Sequence, residues 1–134
     1  MINISNEVFT AVKEAVLTVD ENAFVTSTYV NAPATFPCVS VIEESNEARR
    51  DTADTSRTEN HATVMYEVNV YANNSKTKKS DAYALMTVVD DCMQNLGFRR
   101  AMLSPIPNYN DATIYRLTAR YEAVVSRNET IYYS

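Results

Sequence analysis

The sequence predicts an α+β fold: one mostly antiparallel or mixed β-sheet with about two helices packed on one face. Three observations predict it. Apolar residues recur at helical spacing in two segments, they alternate at period two in others, and the strand-like runs come in pairs around the two helices. The 134 residues suffice for one domain with a real core and fall short of two ordinary ones. Residues 1–126 are therefore read as a single domain and 127–134 as a C-terminal tail.

The first helix is expected over Ser5 to Val19, where Val8, Val12, Ala15, Val16 and Val19 share a face and Ser5 is available as the cap. Asp20-Glu21-Asn22 ends it. The β-branched and aromatic run Phe24 to Val30 predicts a strand, and Cys38 to Glu43 a second beyond the break made by Pro33 and Pro37. From Glu44 to Asn60 only Ala48 and Ala53 are apolar. That run reads as a long polar loop, either solvated or ordered against a partner.

His61 to Ala72 is the clearest strand: Val64, Tyr66, Val68 and Val70 alternate with Met65, Glu67, Asn69 and Tyr71. The second helix is expected to start at Ser80 or Asp81 and to run to about Leu96. Its apolar face is Ala82, Leu85, Met86, Val89, Cys92, Met93 and Leu96. Gly97, the sole glycine of the chain, stands where a left-handed cap needs no Cβ. Phe98 to Leu103 and Ala112 to Ser126 predict a hairpin pair. In the latter Tyr115, Leu117, Ala119, Tyr121, Ala123 and Val125 are the core parity. The opposite face then carries Tyr71, Arg116, Arg120 and Glu122.

Composition narrows the function. Twelve Lys and Arg against seventeen Asp and Glu give a net charge of −5, the wrong sign for a phosphate-binding surface, so nucleic acid is not an expected partner. No stretch is apolar for the roughly 18 residues of a membrane span, and the N-terminus has no basic-then-apolar leader pattern. The chain is expected to be soluble and made in the cytoplasm. Two cysteines, Cys38 and Cys92, are too few for a disulfide framework or a zinc site. His61 lacks a recognisable nucleophile motif, Asp90 and Asp91 diverge by about 100° on a helix, and one glycine cannot build a phosphate cradle. No catalytic residue, cofactor or metal is expected.

Arginine and tyrosine cluster in the C-terminal third, and both are favoured in protein interfaces. Tyr71, Arg116, Arg120, Glu122, Tyr132 and Tyr133 are the interface candidates, the alternative being that the tyrosines line the core and the arginines face water.

Three runs carry a family resemblance: Tyr66-Glu67-Val68-Asn69-Val70-Tyr71, Met93-Gln94-Asn95-Leu96-Gly97-Phe98-Arg99-Arg100, and Ile114 to Glu122. Their succession resembles the tail terminator proteins of long-tailed bacteriophages, also called tail completion or tail-to-head joining proteins, over residues 60 to 126. The resemblance implies an α/β fold, a hexameric ring that ends the tail tube and meets the head connector, and a place in the virion neck. It implies no chemical site. A head-completion or minor capsid protein, a small-ligand binder and an adaptor are the competing readings.

Overall fold

The computed structural model describes residues 2–30, 33–48, 61–107, 112–126 and 131–132. Helix α1 (Ser5–Val19) leads into β1 (Phe24–Thr26), β2 (Cys38–Ala48) and β3 (His61–Ala72). Helix α2 (Lys78–Leu96), β4 (Arg99–Ile106), β5 (Tyr115–Ser126) and the short β6 (Ile131–Tyr132) follow. The strands form one mixed sheet in the order β1-β2-β3-β5-β4, with β6 also on β5. Among the described strands β1 and β2 pair in parallel and the other pairs are antiparallel. The α+β architecture expected from the sequence is present.

Both helices lie on one face. Val8, Val12 and Val16 of α1 and Ala82, Leu85, Met86, Val89 and Met93 of α2 bury against Val39, Val41, Val64, Tyr66, Val68, Val70, Leu117, Ala119 and Tyr121 in one cluster. Tyr66 meets Phe98 edge to face, ring centroids 5.5 Å apart. Val19, expected on the buried stripe, is exposed, because α1 ends there and the chain turns away.

Ends and strand lengths depart from the sequence reading. Ser5 does not cap α1; the side chain of Asn3 accepts from the Ser5 amide at 3.0 Å and from its hydroxyl at 2.7 Å. Helix α2 begins at Lys78, before Ser80, because Asn74 Oδ1 gathers the amides of Lys76 and Thr77 and the Thr77 hydroxyl donates to Asp81 at 2.8 Å. Gly97 caps α2 at φ 104°, with the Phe98 amide bonded back to the Met93 carbonyl at 3.0 Å.

The strand predicted over Phe24 to Val30 stops at Thr26. Glu44–Ala48, placed in the polar loop, instead extends β2, with a register shift between Glu43 and Ser45. The rest of that loop lies outside the described residues. Within the tail, Ile131 and Tyr132 pair with Val125 and Val124 rather than trailing free.

Candidate assembly surface

The face of the sheet opposite the helices is built by register. Antiparallel pairing sets Ser40, Asn69 and Thr118 in one row, Ile42, Glu67 and Arg120 in the next, and Cys38, Tyr71 and Arg116 at one end. Met65, Glu122 and Arg99 form the row toward the other end.

Asn69 joins three strands. Its Nδ2 donates to Ser40 Oγ at 3.1 Å and to Glu67 Oε2 at 3.3 Å, while its Oδ1 accepts from Thr118 Oγ1 at 2.6 Å and Arg116 Nε at 3.0 Å. Ser40, Glu67, Asn69 and Thr118 are all buried, so each depends on these bonds to replace water.

Charges surround this network. Arg120 Nη2 lies 3.5 Å from Glu67 Oε1, and its Nε lies 3.4 Å from Glu44 Oε2, ion-pair range without hydrogen-bond alignment at Nε. Arg99 is paired with Glu122. Arg116 stacks on the Tyr71 ring, 5.8 Å from its centroid. On the helix side Asp90 Oδ1 accepts from the Tyr121 hydroxyl at 2.8 Å and sits 3.4 Å from Arg100. Asp90 is thus engaged with the sheet, while Asp91 is exposed.

The candidates from the sequence separate on this surface. Tyr71 is not an outward contact: it is buried with Cys38 and Ile114, and its hydroxyl donates to the Val30 carbonyl at 3.1 Å. The residues following β1 fold over that end of the sheet and turn Tyr71 into a second small core. Burial raises its phenol above the ordinary value, with Arg116 opposing. Arg116, Arg120 and Glu122 do share the outer face, and each has a partner within the chain. Tyr132 lies in β6, and Tyr133 lies outside the described residues.

Sequence reasoning missed Ser40, Glu44, Glu67, Asn69, Arg99 and Thr118 as members. The signal was available for Glu67 and Asn69, which have the parity of Tyr71 in an otherwise valine-rich strand.

Two recesses flank the helices. A cleft of about 380 Å³ at one end is lined by Val19, Asp20, Phe36, Pro37, Asn74 and Asp81, among others. A groove of about 240 Å³ runs between α2 and β4. Among the described residues no His, Cys, Asp and Glu group has metal-binding geometry, and no helix is long and apolar enough to cross a membrane. No protein-family model matches the chain, and no curated protein matches it in sequence.

Proposed function

We propose that the chain is a structural protein of the neck of a long-tailed bacteriophage. It is made in the host cytoplasm and acts in the virion as a tail terminator, a hexameric ring that ends the tail tube and meets the head connector. It needs no catalytic residue or cofactor for this. One observation supports the reading most. The three runs that carry the resemblance lie on β3, on β5, and across the end of α2 into β4, and the adjoining strands β3, β5 and β4 bring Glu67, Arg120, Glu122 and Arg99 onto one charged face. Charges pre-ordered by their own carboxylates lose little freedom on association and set the register of a neighbour.

Electron microscopy of tail tubes assembled with and without the chain tests the reading. Tubes of uniform length that join heads only when the chain is present are expected. Tubes whose length and joining ignore it would overturn the proposal. A second reading, small-ligand binding, draws on the 380 Å³ cleft, whose volume is within the ordinary range for such sites. A monomer that is stabilised by a small molecule, and that loses the effect on Asp81→Leu, would favour it.

A further inference from the structure

Resting on the second reading above, that the cleft at one end of the sheet holds a small ligand, we propose that the ligand is an organic amine. Its cationic head meets Asp20 and Asp81, and its apolar stem lies along Val19, Phe36 and Leu85. The cleft forms where four chain ends come together: α1 stops at Val19, Phe36-Pro37 leads into β2, β3 ends at Ala72, and α2 starts at Lys78. They enclose about 380 Å³, room for a small molecule. Leu85 is buried and Phe36 partly buried at this site, while Val19 is 60% exposed although it has the spacing of the buried stripe of α1. A stem laid on Val19 takes that surface out of water.

Charge decides the class of ligand. Among the described residues the charged members of the lining are Asp20 and Asp81, both acidic, and neither has an ion partner. Lys78, in the same helical turn as Asp81, sends its amine to the Ala112 carbonyl at 3.2 Å. Asp81 accepts from the Thr77 hydroxyl, and its place in the first turn of α2 follows from the positive end of that helix. Asp20 has no such reason to be there. It directly follows α1, where the final carbonyls already carry partial negative charge and the last turn holds no basic side chain. Its bond from the Asn22 amide, at 3.0 Å, is one that an asparagine oxygen accepts equally well. A carboxylate set against its own helix end breaks a local rule, and such breaks mark functional positions. A cation in the cleft is attracted by Asp20, by Asp81 and by the end of α1 together, and an anion is repelled by all three.

Three probes with the same alkyl stem separate charge from shape: pentylamine, pentan-1-ol and pentanoate. Each is titrated into the whole chain at neutral pH and followed by NMR at the backbone amides of Ala72, Asn73 and Leu85. Pentylamine is expected to give saturable shifts there with an affinity about tenfold above that of pentan-1-ol, the worth of two exposed ion pairs, and pentanoate to give none. Asp20→Asn and Asp81→Asn, matched in size, should each weaken pentylamine about threefold and leave pentan-1-ol unchanged. Asp91→Asn, on α2 but outside the lining, should change neither. The ligand-free Asp20→Asn chain, followed by circular dichroism, is expected to melt at the same or a higher temperature, because an unfavourable charge is gone; a purely structural aspartate would lower it. Pentan-1-ol binding as tightly as pentylamine, pentylamine affinity unmoved in folded Asp20→Asn, or a lowered melting temperature in that variant overturns the amine and leaves the small-ligand reading standing. No saturable shift at the cleft with any of the three probes removes both.

Discussion

Replacing Asn69 by alanine is expected to cost about 3–5 kcal/mol, and the sum can be worked bond by bond. The amide makes four hydrogen bonds, at 2.6, 3.0, 3.1 and 3.3 Å, to Thr118, Arg116, Ser40 and Glu67. Arg116 is half-buried and recovers part of its loss by turning to water. Thr118 cannot, being 2% exposed, and Ser40, 0% exposed, is left with the neighbouring Tyr71 hydroxyl alone. A buried hydroxyl left without a partner costs about 1–3 kcal/mol, and the missing amide also leaves a void. Glu67 keeps Arg120 but loses a donor. The total is a large part of the ~5–15 kcal/mol that holds a typical domain together.

Equilibrium urea unfolding reads it as a lowered midpoint at unchanged slope. A double-mutant cycle adds a sharper test. With Asn69 already alanine the Thr118 hydroxyl is a liability, so Thr118→Val should then be neutral or stabilising, with a coupling of about 1–2 kcal/mol. A loss under about 1 kcal/mol, or strict additivity, would show that water already reaches this row and that the network is not what joins the three strands.

Other perturbations follow from the same contacts. Arg120→Glu sets a third carboxylate against Glu67 and Glu44, so the isolated monomer should lose about 1–3 kcal/mol, seen as a lower melting temperature that added salt partly restores; an unchanged monomer would return Arg120 to the subunit interface. Val89→Ala empties a fully buried position under the valines of β3 and should cost about 1–3 kcal/mol in thermal unfolding; a neutral result would misplace the buried face of α2. In Gly97→Ala a new Cβ stands 3.0 Å from the Ile131 carbonyl oxygen and Cγ2 at φ +104°, so a loss of about 1–3 kcal/mol is expected, falling toward the left-handed backbone cost of about 1 kcal/mol in a chain cut after Ser126. Burial pushes the Cys38 thiol up to about 11 from 9.0; between those values the unfolded chain has released the proton and the folded chain has not, so stability falls as pH rises through that window. Cys38→Ala should flatten the decline in urea midpoints taken on either side of it, and an equal decline in both proteins would refute the assignment.

Local pattern alone determined the elements that bury one face. His61–Ala72 needed only its period of two, the face of α2 only its period of 3.6, and the end of α2 only the one residue able to hold φ 104° without strain. These are short-range facts of chirality and side-chain spacing, and they were legible before any partner was known. Tertiary structure decided what lies across strands. Glu44–Ala48 looked like loop because a polar strand needs its neighbour's backbone more than its own side chains, and β3 provides the ladder. Tyr71 and Arg120 have the same parity, yet one is buried and the other half-exposed, because the residues after β1 fold back over only that end of the sheet. Parity says which face a side chain takes; only the arrangement of distant segments says whether that face meets water, because burial is set by atoms far away in sequence.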